Sequence, residues 1–353
     1  MASPERHCKW DSYIETRLGV AILADCLDLL RADVPDSSVD LIVTSPPFGL
    51  VRKKDYGNPD AHEYVEWFRA FGREFHRVLK PSGSFVIDIG GAWEPGQPTR
   101  SLYHFRLLID LCDAVGFSLA QEFYWWNPSR LPTPAEWVTV RRVRAKDAVN
   151  TVWWLSKTPW PKASNRRVLL PYSKSQLDLF ENGYQAKRRP SGHEISDKFD
   201  RRNAGSIPPN LIALANTESN SQYLRYCQEN GIEAHPARFP AALPEFFVRM
   251  LTDAGDLVID PFAGSCVTGE VCERLGRRWL CTDVVPEYLE GGRGRFPAQP
   301  QTYDVNHRDD ACYSIWRPDA LWGRLEEEPL PPDGGFTRPP WVGKPSDVAP
   351  EVD

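Results

Sequence analysis

Leu257-Val258-Ile259-Asp260-Pro261-Phe262-Ala263-Gly264-Ser265 is the stretch whose reading decides the fold. A short apolar run ends on an acid and enters a tight loop, where Gly264 lets the backbone approach a ligand closely. A helix is expected from about Val267 to Leu275, then a strand from Arg278 to Thr282 that ends at Asp283. This β-loop-α-β unit, with an acid at the end of each strand, is the general arrangement for holding an adenosine and its ribose. Gly264 and Gly269 stand five apart with no third glycine in register, so the dinucleotide fingerprint is absent and hydride transfer is disfavoured. The same glycines have the outer spacing of a phosphate loop, but Glu270-Val271 occupies the place of its Lys and Ser/Thr. An acid there repels phosphate. A cofactor with ribose and adenine but no phosphate fits better, and S-adenosylmethionine is the common one.

Outward from this unit the same alternation recurs. Upstream, Leu18 to Ala24 reads as a strand closed by Asp25, and Cys26 to Ala32 as a short helix. Ser38 to Val43 is a second strand, which runs into Thr44-Ser45-Pro46-Pro47-Phe48. That loop can offer a hydroxyl, a carbonyl and a flat ring to one planar amino group. His62 to Leu79 has Tyr64, Trp67, Phe68, Phe71 and Phe75 along one helical face, a core stripe, and Ser84 to Ile89 is a third strand. A helix from about Tyr103 to Val115 and a strand from Leu119 to Trp126 complete the first half. Repeated units of this length imply a parallel sheet covered on both faces. From Asn127 to Glu233 the alternation gives way to prolines and paired arginines, except for a strand at Thr151 to Leu155, and a helix at Pro244 to Leu251 marks its return.

Composition narrows the class. At 353 residues with 41% hydrophobic and 25% charged content the chain is an ordinary globular protein, rich in Trp (13) and Pro (32). It has no run approaching the roughly 18 apolar residues of a membrane helix and no apolar signal-peptide centre, so a cytoplasmic location without membrane contact is expected. Its eight cysteines include no Cys-x-x-Cys pair and no His at metal-ligand spacing; reduced thiols and no metal are expected. The net charge of −6 hides a segregation: residues 121–234 alone are basic, with 17 Lys+Arg against 11 Asp+Glu. A phosphate-binding surface needs local rather than global positive charge.

These residues together resemble the amino-group DNA methyltransferases, and more closely the N4-cytosine enzymes. Thr44 to Phe48 is similar to their catalytic motif and Asp260 to Ser265 to their cofactor motif. Asp25-Cys26-Leu27 resembles the acidic turn before the catalytic strand, and His235 to Pro240 with Leu243-Pro244-Glu245 the approach to the cofactor strand. The resemblance covers about Leu18 to Phe296, in the motif order of the family's beta class. It implies an α/β, Rossmann-like sheet, mostly parallel, of about seven strands with helices on both faces, a circularly permuted motif order and an inserted target-recognition region. The parts it implies are a catalytic part at 1–126, a recognition region at 127–234 that lends a strand near 151–155 to the core sheet, a cofactor part at 235–296, and an acidic, proline-rich, partly irregular extension at 297–353. In one place the chain departs from the family: a loop that usually continues Gly-Ser-Gly-Thr here reads Gly264-Ser265-Cys266-Val267, which implies an altered loop rather than a lost site.

Transfer of a methyl group to an amino nitrogen follows from the resemblance. Ser45 and the carbonyl of Pro46 would accept the two amino hydrogens, Pro46 and Pro47 would stiffen the loop, and Phe48 would stack on a flipped-out base. Asp25, Cys26, Thr44, His235, Phe239, Pro240, Asp260, Pro261, Phe262, Ala263, Gly264, Ser265 and Asp283 would surround S-adenosylmethionine. Arg141, Arg142, Arg144, Arg166, Arg167, Lys187, Arg188, Arg189, Arg201 and Arg202 would meet double-stranded DNA. Serine at position 45, where adenine enzymes usually carry Asp, favours cytosine. An N6-adenine enzyme on DNA or RNA and a non-catalytic nucleic-acid binder remain alternatives. A restriction endonuclease acting on the same site is the partner the family implies; oligomeric state and the DNA word are not readable from spacing.

Overall fold

The computed structural model describes residues 10–49, 61, 63–182, 203–216 and 221–296. In chain order the elements are β1 (Asp11–Glu15), β2 (Gly19–Leu23), α1 (Cys26–Asp33), β3 (Val39–Thr44), α2 (Tyr64–Val78), β4 (Leu79–Ile89), α3 (Tyr103–Asp110), β5 (Ser118–Trp126), β6 (Val149–Ser156), α4 (Lys174–Asn182), β7 (Leu211–Ala213), α5 (Gln222–Glu229), α6 (Ala242–Leu251), β8 (Leu257–Asp260), α7 (Val267–Arg274), β9 (Arg278–Asp283) and α8 (Pro286–Gly292). The strands form one sheet in the order β1-β2-β9-β8-β3-β4-β6-β5-β7. From β2 to β4 every pairing is parallel. β1 and β6 run antiparallel to their neighbours, and β7 lies parallel to β5 on the far edge.

The nine strands among the described residues exceed the seven or so expected. β1 and β7 are the additions: one is an edge strand with a bulge between Ser12 and Ile14, the other has three residues, and neither is long enough to show a period of its own. The stretch 127–234, expected to be mostly irregular, also carries α4 and α5. Helix α2 starts two residues later than expected, and β4 begins at Leu79 because that residue pairs with Val39 before the main ladder opens at Leu41↔Ser84.

β3 shows why the sheet is central. All six of its residues are buried, and its apolar ones divide between two cores: Leu41 and Val43 join α6 and α7 on one face, while Ile42 and, before a register shift, Val39 join α1, α2 and α3 on the other. The second core is aromatic. Phe68 and Phe75 are fully buried against Phe85 of β4, with ring centroids 6.4 and 5.2 Å away, so truncating Phe75 to Ala would cost about 3–5 kcal/mol.

Sheet order places the site. From β8 the chain crosses through α7 to β9 on one side, and from β3 it crosses through α2 to β4 on the other. The carboxyl ends of β8 and β3 therefore flank the point where crossover direction reverses, the usual ligand crevice of such sheets.

Candidate active site

The register Leu41↔Val258 and Ile42↔Ile259 brings Thr44 beside Asp260, 216 positions away in sequence. Asp260 is almost fully buried and accepts from Thr44 Oγ1 at 2.7 Å, Thr268 Oγ1 at 2.6 Å and the Phe262 N–H at 3.2 Å. Burial is the main influence on it and raises its pKa to about 6, against the lowering effect of Thr268 and Thr44. It ties the Pro261–Ser265 loop to β3 and α7. Asp283, at the end of β9, is held in the same way: its carboxylate accepts from the N–H groups of Gly264 at 2.8 Å and Val285 at 3.0 Å. Burial raises its pKa as well.

Above these staples lies a cavity of about 270 Å³. Of the residues expected at the site, Asp25, Cys26, Ser45, Pro46, Pro47, Phe48, His235, Phe239, Pro261, Phe262, Ala263, Gly264, Ser265 and Asp283 line it. Thr44, Pro240 and Asp260 do not reach its wall; Thr44 and Asp260 sit one layer beneath, bonded to each other. Asp25 also caps α1, accepting from the Leu27 N–H at 2.8 Å. His235 stands edge-on to Tyr288 at 4.3 Å, and burial, helped by Arg238, lowers its pKa to about 4 and leaves the ring neutral at pH 7. A Cβ on Gly264 would meet His235 Nε2 at 3.0 Å, and Gly264 has φ +48°, so glycine is required there twice over. Cys266, the family departure, takes the left-handed conformation at φ +56° at the start of α7 with its side chain fully buried.

Several wall residues were not anticipated. Trp67 and Phe71, read as core, turn toward Phe262 at 6.2 and 5.2 Å and line the cavity; Arg238, Val284, Val285 and Tyr288 join them. The larger omission is Asp88. The Ser45 hydroxyl donates to Asp88 Oδ2 at 3.1 Å, and Asn150 Nδ2 donates to Asp88 Oδ1 at 3.2 Å. Asp88 is 5% exposed, and its burial raises the carboxyl pKa to about 6 despite those donors. A single acid near the carboxyl end of an otherwise apolar strand, just before Gly90-Gly91, was the available signal. The loop itself is pinned from behind, because Tyr64 Oη donates to the Pro47 carbonyl at 2.7 Å.

The arginines divide. Arg141 and Arg142 are exposed on the loop between β5 and β6, with Arg141 paired to Glu136 at 2.7 Å and lying 4.9 Å from the Trp137 ring centre. Arg144 lies over Trp93, 5.4 Å from its ring centre. Trp93 follows β4, so this cluster is at the Ser45 end of the sheet. Arg166 and Arg167 are at the other end: Arg167 pairs with Asp253 and donates to the Thr252 carbonyl, in the turn that precedes β8. They are not brought together with Arg141–Arg144, because the short helix at Asn165–Val168 that carries them packs on α6 rather than beside the crevice. Lys187, Arg188, Arg189, Arg201 and Arg202 lie outside the described residues, as does the 297–353 extension. Among the described residues no group of three His, Cys, Asp or Glu could hold a metal, the six cysteines are unpaired, and no helix is long and apolar enough to cross a membrane.

Comparison with known proteins agrees with this geometry. A family model described as DNA methylase, of the N6 and N4 methyltransferases, matches residues 39–293. The chain belongs to this family. Among its relatives, the type II methyltransferase M.PvuII of Proteus hauseri is 54% identical over 284 residues, covering 80% of this chain and 84% of the relative. A solved PvuII DNA methyltransferase described as cytosine-N4-specific superposes on this methylase with a TM-score of 0.64 at 46% identity, covering 86% of this chain and 92% of that one. A Thermus thermophilus protein solved in complex with S-adenosyl-L-methionine shares the fold, with a TM-score of 0.50 at 22% identity over 78% of this chain and 94% of that one.

Proposed function

We propose that this methylase transfers a methyl group from S-adenosylmethionine to the exocyclic N4 of a flipped-out cytosine in duplex DNA, as the modification enzyme of a restriction–modification system. The observation that carries the reading is the Ser45–Asp88 hydrogen bond at the mouth of the cavity. With its proton given to Asp88, the Ser45 oxygen is left as an acceptor, and the Pro46 carbonyl is the second. Two acceptors on the two amino hydrogens localise the nitrogen lone pair that the ring otherwise withdraws. Asp88 then receives, through Ser45, the proton that the nitrogen must lose; a carboxylate with a pKa near 6 is ionised at neutral pH yet basic enough for that task. Phe48 stacks on the base. The similar structure described as a cytosine-N4-specific DNA methyltransferase supports cytosine as the base.

The cavity fits the cofactor. Its wall offers two acids, Asp25 and Asp283, apolar surfaces from Phe262, Trp67 and Tyr288, and the close backbone at Gly264, with Arg238 the single Lys or Arg among the described residues that line it. That set suits a cationic nucleoside without phosphate. When bound, S-adenosylmethionine supplies an electrophilic methyl group; Asp283 and Asp25 would hold its hydroxyl and amino groups, and Phe262 its adenine. The recognition region is the stretch 127–234 outside its sheet strands, with Arg141, Arg142 and Arg144 toward phosphate, and a restriction enzyme reading the same site is the partner. Incubation of the full chain with plasmid DNA of mixed sequence and deuteromethyl-labelled cofactor, followed by digestion to nucleosides and mass spectrometry, tests the reading. N4-methylcytosine is the expected product. N6-methyladenine, or no labelled base, would overturn it.

A further inference from the structure

Asp88 is held from behind as well as used from in front. Asn150, at the start of β6 and 6% exposed, accepts from Arg130 Nη1 at its Oδ1 at 2.8 Å while its amide nitrogen donates to Asp88. Only one amide orientation satisfies both neighbours, since a flipped Asn150 would turn its oxygen toward the carboxylate and its NH2 toward the guanidinium. Arg130 belongs to the 22-residue excursion 127–148 between β5 and β6, and the base of that excursion is closed: Asn127 N–H donates to the Ala148 carbonyl at 2.8 Å, and Lys146 Nζ donates to the carbonyls of Pro128 and Arg130, both at 3.2 Å. The exposed Arg141 and Arg142 are carried farther along the same excursion. A continuous chain of hydrogen bonds thus runs from the root of the basic loop to Ser45: Arg130 donates to Asn150, and the Asp88 carboxylate accepts from both Asn150 and Ser45.

We infer that Arg130 and Asn150 are positioning residues, which aim the Asp88 carboxylate at the Ser45 hydroxyl and tie it to the loop that bears Arg141 and Arg142. This rests on the reading of Asp88 as the partner of Ser45. The groups beyond the pair do not substitute for it: Tyr103 of α3, which donates to the Gly90 carbonyl and feels the Asp88 charge, is kept neutral by burial, and Arg100 beside Tyr103 is engaged by Asp147 at 3.0 Å. The charge on Arg130 favours the ionised form of Asp88. Without it the carboxyl protonates at higher pH and can no longer take up the proton passed through Ser45.

The test is the single-turnover rate against pH, with saturating S-adenosylmethionine and mixed-sequence plasmid DNA, for wild type, Arg130→Met, Arg130→Lys, Asn150→Ala and Asp88→Asn. Arg130→Met and Asn150→Ala should lower the plateau rate roughly tenfold, with DNA affinity within about threefold of wild type. In Arg130→Met the acidic limb should move up by on the order of half a unit to one unit. Arg130→Lys should restore the limb. Asp88→Asn should remove limb and turnover together; if it retains both, the reading of Asp88 fails. If Asp88→Asn behaves as expected but Arg130→Met keeps the wild-type limb and plateau, or loses only DNA affinity, the positioning role is overturned while the reading of Asp88 stands. The Arg130→Met and Arg130→Lys pair decides the matter even where Asn150→Ala fails to fold.

Discussion

Two buried carboxyls with the same raised pKa, about 6, serve different ends. Asp260 makes three hydrogen bonds within the framework, whereas Asp88 accepts from Ser45 at the cavity mouth. For Asp88 the sign of the linkage is adverse. Its folded-state pKa lies above the unfolded value near 3.8, so the folded protein holds the extra proton between about pH 4 and 6 and loses stability as pH rises through that window. Asp88→Asn removes this loss. The melting temperature of Asp88→Asn relative to wild type should therefore rise between pH 4.5 and pH 7, by the equivalent of roughly 2 kcal/mol, while methyl transfer disappears. Melting curves at the two pH values check it; a difference that is flat with pH would show that Asp88 titrates normally.

At the scale of elements, the end of β4 meets the Ser45–Phe48 loop without clearance. A Cβ on Gly90 would stand 2.6 Å from the Phe48 ring, so Gly90→Ala must move the ring or the strand end. The expected outcome is at least a tenfold loss of turnover with a stability cost of about 1–3 kcal/mol, read from single-turnover rates and urea melts. Full activity would mean that the position of Phe48 is unimportant. The same contact shows where reading by element stops. The strands of β3, β8 and β9 and the loops after them were legible, because apolar runs closed by an acid, a Pro-Pro pair or a glycine have local causes. The stripe of α2 was legible as buried, but not as buried against a cavity: helical spacing says that Trp67 and Phe71 avoid water, and the position of Phe262 decides what they face. β7 has three residues and pairs with Tyr124, Trp125 and Trp126, so its partner defines it.

Over the whole molecule, the paired arginines among the described residues divide between the two ends of the sheet. Arg141 and Arg142 are exposed at the Ser45 end; Arg167 is engaged by Asp253 and Thr252 at the other. Replacing Arg141 and Arg142 with Ala should weaken binding to mixed-sequence duplex DNA and reduce the slope of log K against log[salt] by up to about 2. Arg167→Met should leave that slope unchanged and lower stability instead, by on the order of 1 kcal/mol. Salt titrations of the two variants separate the cases, and equal slopes would remove the loop from the DNA surface.

The amino-acid sequence by itself determined the chemistry of the loops: a rigid Ser-Pro-Pro-Phe corner, a phosphate-free β-loop-α-β unit, and hence a family and a reaction type. These depend on backbone conformations and side chains within a few residues of one another. That the two loops share one site was already implied by the resemblance; tertiary structure alone decided the register that joins them, that Asp88 rather than any acid of the motifs bonds Ser45, and that Asn150 and Arg130 stand behind it. Those pairings are set by β8 lying against β3 and by β6 entering antiparallel beside β4. Strand order is a property of the packed sheet, settled by which apolar faces bury one another, and no short stretch of residues names its neighbour.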